Sequence, residues 1–133
     1  MPFIHIRLAD AAPSPERLAA LSQEIVAITA RHLRKQAALT AVLIEPLAAT
    51  GLWTVGDSAP PTAAHLEIAV TAGTNTAAEK TAFIAAADDA LRRAAGPDLP
   101  LASYVVVREI EADSWGYGGL SQAARRTAPA PAV

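Results

Sequence analysis

MPFIHIRL, residues 1–8, has a pattern that recurs in the second half of the chain. Ile4, Ile6 and Leu8 alternate with polar or aromatic residues, which is the period of a half-buried β-strand. Residues 65–70, HLEIAV, repeat this alternation in the second half of the sequence. The two strands therefore point to one supersecondary unit that occurs twice.

A helix is predicted after each of the two strands. Ser14 is a favourable N-cap, and apolar residues then recur at helical spacing over residues 15–35. Thr76 and Glu79 form the T-x-x-E pattern of a capping box, and Gly96 precedes a proline at the expected end of the second helix. Both halves thus continue from strand to helix.

A second strand is predicted to close each unit. Residues 39–45 and 101–109 are rich in Val, Leu and Ile, and residues 46–64 read as a loop because they contain glycine and several prolines. The predicted organisation is a single domain over residues 1–122, with units 2–57 and 63–119. Residues 123–133 are expected to be a flexible tail.

The two units can build one sheet. A β-α-β unit places its two strands parallel through a right-handed crossover, and two such units can join into a four-stranded mixed sheet with both helices on one face. The predicted class is α+β. The second and fourth strands are apolar enough for burial on both faces, but the chain has only two long helices. We therefore expect another copy of the chain to cover the open face.

Composition argues against several classes of function. The 133 residues contain 11 basic and 13 acidic side chains, for a net charge of −2, so no basic surface for nucleic acid is expected. There is no cysteine, and the three histidines lack metal-site spacing, so neither a metal nor another cofactor is expected. The apolar runs are too short to cross a membrane, and no signal peptide is evident, which favours a cytoplasmic protein.

The ends of the two units resemble each other and a known family. Residues 45–57, EPLAATGLWTVGD, and 109–119, EIEADSWGYGG, share a glutamate, a tryptophan and a glycine. MPFIHIRL, the helix and E-x-x-A-x-x-W-G-Y-G-G, in this order and duplicated, resemble the tautomerase superfamily over residues 2–122. The smallest members are similar to 4-oxalocrotonate tautomerase, and two units resemble the long or fused members. The resemblance implies a trimer with active sites near subunit boundaries.

The resemblance also implies a role for Pro2. Removal of Met1 would make Pro2 a free secondary amine, and a terminal amine has an unperturbed pKa of about 7.7–8.0. A neutral amine can move a proton beside a carbonyl, as in keto–enol tautomerisation of a small 2-oxo or 2-hydroxydienoate-type acid. The alternative interpretation is that Pro2 merely begins a strand, where proline is tolerated.

Cations that could bind such an acid are few. The arginine that follows the first strand in 4-oxalocrotonate tautomerase falls at about Ala12, and Thr74 stands where superfamily dehalogenases and decarboxylases place an arginine. Lys35, eleven residues before Pro46, matches a lysine that lines the site in macrophage migration inhibitory factor; alternatively it is a solvated residue at a helix end. Arg108 could meet a substrate carboxylate or pair with Glu109 or Glu111.

Three further residues are candidates for substrate binding. Tyr104 matches a tyrosine that lines the same pocket from a neighbouring subunit, or is a core or interface residue. Trp115 stands where 4-oxalocrotonate tautomerase has a pocket-wall phenylalanine, or packs at an interface. His32, in AITARH, resembles a substrate-binding histidine of a superfamily dehalogenase, but it also continues the helix's apolar stripe.

Two other functions stay open at this point. The chain could be a non-catalytic trimeric binding or scaffold protein that keeps the fold, because the usual arginines are absent. It could also be a related hydratase or decarboxylase acting on another unsaturated acid.

Overall fold

A computed structural model of the chain describes residues 1–9, 14–47 and 53–127. The elements in chain order are β1 (Phe3–Ala9), α1 (Pro15–Leu33), a 3₁₀ turn (Ala37–Leu39), β2 (Ala41–Leu47), β3 (Ala63–Thr71), α2 (Ala77–Ala95), β4 (Tyr104–Ile110), β5 (Gly116–Tyr117), β6 (Leu120–Ser121) and α3 (Gln122–Thr127). None of the helices in these described ranges is long and apolar enough to span a membrane.

The sheet has the order β2-β1-β3-β4. β1 pairs with β2 in parallel and β3 with β4 in parallel, as the two crossovers require. The two units meet at the centre, where β1 and β3 are antiparallel. The predicted four-stranded mixed sheet of two β-α-β units is therefore confirmed.

Both long helices cover the same face of this sheet. The apolar residues of the alternating strands, such as Ile4 and Ile6 in β1 and Leu66 and Ile68 in β3, are completely buried. They form one cluster with the buried stripe of each helix, including Phe83. One core is thus shared by the two units.

Local sequence signals account for the helix boundaries. The Ser14 hydroxyl accepts a hydrogen bond from the Arg17 amide at 3.1 Å, which satisfies one free donor at the start of α1. Thr76 and Glu79 form a complete capping box at the start of α2. Arg34, with φ of 56°, ends α1 in the left-handed conformation, so the helix ends two residues before the predicted Lys35.

The outer strands β2 and β4 have an open face in the single chain. No residue of β2 or β4 is fully buried in the single chain, because these two strands are the outer strands of the sheet. On the face away from the helices, Phe3 is 43%, Leu43 48% and Tyr104 65% exposed. The large apolar side chains that led us to expect a covering partner are therefore at the surface.

The C-terminal segment corrects one prediction. A flexible tail was expected from residue 123, but Gln122–Thr127 form α3. The Ser121 hydroxyl accepts a hydrogen bond from the Ala124 amide at 3.0 Å at the start of this short helix. Residues 128–133, the remainder of the predicted tail, lie outside the described residues.

Candidate functional site

A pocket of about 390 Å³ lies at the beginning of β1. Because β1 and β3 are antiparallel, the start of the first unit lies beside the end of β3 and the segment that follows β4. The lining residues come from both units and are almost all apolar: Met1, Pro2, Phe3, Ala41, Ala69, Trp115, Gly116, Tyr117 and Gln122.

Pro2 is buried at this pocket. Its carbonyl oxygen accepts a hydrogen bond from the Ala41 amide at 3.2 Å, which extends the pairing of β1 with β2 by one residue. Proline's missing N–H therefore costs nothing here, since only its carbonyl is used by the sheet. Pro2 can therefore begin a strand and also line the pocket.

The terminal amine beside Pro2 is perturbed. Burial lowers the pKa of the Met1 α-amino group, and the positive charge of Lys35 lowers that pKa further. Both causes disfavour the protonated amine. A terminal amine in this corner of the fold is therefore more often neutral near pH 7 than one in water.

Lys35 is close enough to the pocket for its charge to act on the Met1 amine, but it is not one of the lining residues. Its Nζ donates a hydrogen bond to the Thr74 hydroxyl at 2.9 Å. The pKa of Lys35 is lowered, first by burial and then by the charges of Arg34 and Arg126, while Glu79 opposes the shift. The position where the dehalogenases carry an arginine thus holds the hydroxyl partner of this lysine.

Trp115 forms one wall of the pocket. Its indole N–H donates to the hydroxyl of the nearly buried Thr71 at 3.2 Å, which fixes the orientation of the ring. The β5–β6 hairpin continues directly from this residue and brings Gly116 and Tyr117 to the same cavity. Pro2 and Trp115 therefore line the same pocket.

Arg108 lies at the same end of the sheet but has a partner. Across the sheet, Phe3 of β1 pairs with Ala69 of β3, and Ala69 pairs with Arg108 of β4. Its Nε donates to Glu67 at 2.8 Å. A glutamate partner was expected in Glu109 or Glu111, but Glu109 instead binds Lys80.

Tyr104 and His32 do not reach this pocket in the single chain. Tyr104 begins β4 four residues before Arg108, about 13 Å along the strand. His32 lines a separate groove between α1 and α2, with Arg31, Asp89 and Arg93 among its neighbours. The Ala12 region, which bears on the missing arginine, lies outside the described residues.

Two pocket residues were missed as candidates in the sequence. Tyr117 was noted only as part of the GYGG turn, and Gln122 was placed just before the tail. A signal for Gln122 was present, because Ser121 followed by QAARR is a favourable N-cap before good helix formers. A short helix after the hairpin brings that glutamine to the pocket.

Comparison with family models adds a direct finding. The Tautomerase family, described as tautomerase enzyme, matches residues 65–125. This range contains β3, α2, β4 and the hairpin, and so includes the pocket residues from Ala69 to Gln122. None of the curated proteins matches the sequence.

Solved structures match nearly the whole chain. A native fused 4-OT is 26% identical, with 92% of this chain and 97% of that chain covered and a TM-score of 0.79. A wild-type fused 4-OT asymmetric trimer, called F6, is 25% identical, with 92% and 98% covered and a TM-score of 0.78. A macrophage migration inhibitory factor-like protein from Entamoeba histolytica shares the fold at 17% identity, with 90% and 97% covered and a TM-score of 0.72. The resemblance to the tautomerase superfamily is confirmed.

Proposed function

On the premise that this chain is similar to the tautomerase superfamily along nearly its whole length, we propose that it is a keto–enol tautomerase. The base is the secondary amine of Pro2 after removal of Met1. The substrate is a small 2-oxo or 2-hydroxydienoate-type acid. The observation that carries the proposal is a buried Pro2 in a largely apolar pocket, where burial and Lys35 both lower the pKa of the terminal amine of Met1, the residue directly before it.

The proton balance of this reaction needs no external reagent. In the ketonisation direction, the neutral Pro2 nitrogen takes the proton of the enol hydroxyl while the C–O bond becomes a carbonyl. The protonated amine then delivers a proton to the carbon next to that carbonyl. In the other direction the amine removes the carbon-bound proton first. Such positioned acid–base catalysis contributes typically about 10²–10⁴-fold.

The other residues have supporting roles in the proposal. Lys35 keeps the amine neutral and supplies the positive charge for the substrate carboxylate. The Trp115 ring excludes water, and this further disfavours the charged amine. Arg108 could join the carboxylate site only by leaving Glu67.

We propose a homotrimer as the working assembly. The similar F6 fused 4-OT is an asymmetric trimer, and the exposed Phe3, Leu43 and Tyr104 on the open sheet face favour a covering copy. Tyr104 would then belong to the site of a neighbouring subunit, because it lies too far along β4 to reach the pocket of its own chain.

The test compares three forms of the protein on phenylenolpyruvate. The first begins at Pro2, as shown by intact mass. The second carries a single glycine inserted before Pro2, which converts the proline nitrogen into a peptide amide and leaves the fold's residues unchanged. The third is Pro2→Ala, which keeps a terminal amine but loses the ring.

We expect the glycine-extended form to lose about 10²–10⁴-fold in kcat/KM. Pro2→Ala should fall between the two, because a primary amine remains at the site. Equal rates for the form that begins at Pro2 and the glycine-extended form would refute the mechanism.

A non-catalytic trimeric binding protein is the second candidate. One observation favours it: among the described residues, none that lines the pocket is charged apart from the terminal amine of Met1. Protein from the native host that retains Met1 by intact mass, and that binds small acids without turning them over, would support this alternative.

A further inference from the structure

Helix α3 contributes one of the polar side chains of the pocket, that of Gln122. Trp115, Tyr117 and Gln122 are the lining residues with polar side-chain atoms. The indole N–H of Trp115 is already bound to Thr71. The Gln122 side-chain amide makes no hydrogen bond to another described residue, so it is available to a ligand.

The backbone holds Gln122 firmly in this place. Its amide donates to the Trp115 carbonyl at 2.9 Å, and the next amide, of Ala123, donates to the Ala112 carbonyl at 2.8 Å. Arg125 donates from Nη2 to the Tyr117 carbonyl at 2.8 Å, and its guanidinium lies 3.8 Å from the centre of the Tyr117 ring. Helix α3 is therefore bound both to the hairpin and to the segment that precedes it.

The charges around the pocket are sufficient for one carboxylate. None of the described cationic side chains lines the pocket: Lys35 acts on the terminal amine, Arg108 is paired with Glu67, and Arg125 is bound to the carbonyl and the ring of Tyr117. A carboxylate buried without a cation or several hydrogen bonds is strongly disfavoured. A substrate with a second carboxylate would place it against apolar residues or against the neutral amide of Gln122.

We propose that Gln122 is a specificity-determining residue that binds a neutral oxygen of the substrate, so that the pocket takes monocarboxylic rather than dicarboxylic acids. This inference rests on the proposed function and deepens it. The amide offers N–H donors and a carbonyl acceptor, but no charge to offset a second carboxylate.

The test uses two substrates with one reacting core. 2-Hydroxypenta-2,4-dienoate has one carboxylate, and 2-hydroxymuconate carries a second at the far end of the diene. The wild-type protein should turn over the monoacid with the higher kcat/KM. Gln122→Arg should raise the ratio of diacid to monoacid kcat/KM by about tenfold or more, because it adds a cation at the position of the amide.

Two variants serve as controls for this result. Gln23→Arg adds the same charge in a different groove, beside Val26 and Thr40, and should leave the ratio unchanged. Gln122→Met keeps the length and removes the polar group, so we expect a higher KM for the monoacid with kcat less affected. Tyr117→Phe should have a smaller effect on KM than Gln122→Met.

Several outcomes separate this inference from the function on which it rests. Turnover that does not depend on the Pro2 amine refutes the proposed function. Pro2-dependent turnover with equal kcat/KM for the two acids, or no change of the ratio in Gln122→Arg, refutes the role of Gln122 alone. A larger loss in Tyr117→Phe than in Gln122→Met would assign the contact to the tyrosine and refute our proposal.

Discussion

The two β-α-β units correspond position by position at an offset of 62 residues. The helices have 19 residues each, from Pro15 and from Ala77, and the buried positions coincide. In α1 they are Leu21, Ile25, Ile28, Thr29 and Leu33, and in α2 they are Phe83, Ala87, Ala90, Leu91 and Ala95. The repeat therefore preserves which positions face the core, while the residues there differ in size and, at Thr29 and Leu91, also in polarity.

The same offset of 62 residues also relates the residues near the pocket to residues of the first unit. Trp53 corresponds to Trp115, and the bridge between Val55 and Ser58 corresponds to the pair of Tyr117 with Leu120. Pro2, however, corresponds to Ala64, which is 1% exposed inside β3 and has no terminal amine. A duplicated scaffold thus offers one position for a proline amine, and the pocket around it takes its walls from the other unit.

The largest effect on stability is expected from the largest fully buried side chain, Phe83. Phe83→Ala removes a completely buried ring and leaves a cavity, so we expect a loss of about 3–5 kcal/mol in the free energy of unfolding. Leu21→Ala, at the corresponding position of α1, should cost about 2–5 kcal/mol. Urea unfolding measures both.

Ile84→Ala is the matched control for Phe83→Ala. Ile84 is the next residue of α2 and is 41% exposed, so the stability lost on its truncation should be clearly smaller. A cost for Ile84→Ala as large as that for Phe83→Ala would contradict the assigned orientation of α2.

The next effect concerns the one-sided placement of charge around Pro2. Lys35 has no counterpart in the second unit, where the corresponding position is Pro97. Lys35 lowers the pKa of the Met1 amine, and we expect the same effect on a Pro2 amine, so Lys35→Met should raise the pKa of the catalytic amine. The acid limb of the pH profile of kcat/KM then moves to higher pH, and a rise of one in the pKa costs about tenfold in rate at low pH.

Lys80→Met is the control for this pH profile. Lys80 binds Glu109 and does not line the pocket, so its removal should leave the acid limb in place. An acid limb that stays in place in Lys35→Met would show that the lysine does not act on the catalytic amine.

A smaller effect should distinguish the two helix starts. Thr76 and Glu79 satisfy each other's backbone amides, whereas Ser14 in the first unit faces Arg17 at the position of the glutamate. Thr76→Ala should cost about 1–2 kcal/mol and Ser14→Ala about 0.5–1 kcal/mol, measured by urea unfolding. Thr81→Ala, on the exposed side of α2, is the control. Equal losses of stability in Ser14→Ala and Thr76→Ala would show that the reciprocal capping box adds no stability beyond a single N-cap hydrogen bond.

Sequence patterns were sufficient for the fold because each local signal agreed with the others. Strand alternation, the N-caps at Ser14 and Thr76, and the stop at Gly96 all had their expected structural outcome. Burial of β2 and β4 on both faces stays a prediction, because in the single chain these outer strands pack against the core on the helix side alone. Local composition cannot reveal whether the second side is filled by another copy.

The candidate site was predictable only in part for a different reason. Pro2 and Trp115 could be placed together through the resemblance, and the antiparallel pairing of β1 and β3 brings them to one pocket. Gln122 belongs to a short helix whose position depends on the hairpin before it. The partner of Arg108 was assigned wrongly because Glu67 lies on a neighbouring strand, 41 positions away in the sequence.

The smallest expected effect is a difference between the two helix starts in how stability depends on pH in acid. Hydrogen bonds from Arg34 and from the Thr76 amide hold the pKa of Glu79 at about 2, below its ordinary value. A carboxyl whose pKa is depressed in the folded protein stabilises the fold above the unfolded pKa, and this contribution disappears as the pH falls toward 2. Glu79→Gln should therefore flatten the fall in stability below about pH 5.

Glu16→Gln, in the first turn of α1, is the control, because this glutamate makes no hydrogen bond to another described residue. Equal flattening in both variants, measured by urea unfolding at several pH values, would remove the distinction between the two helix starts.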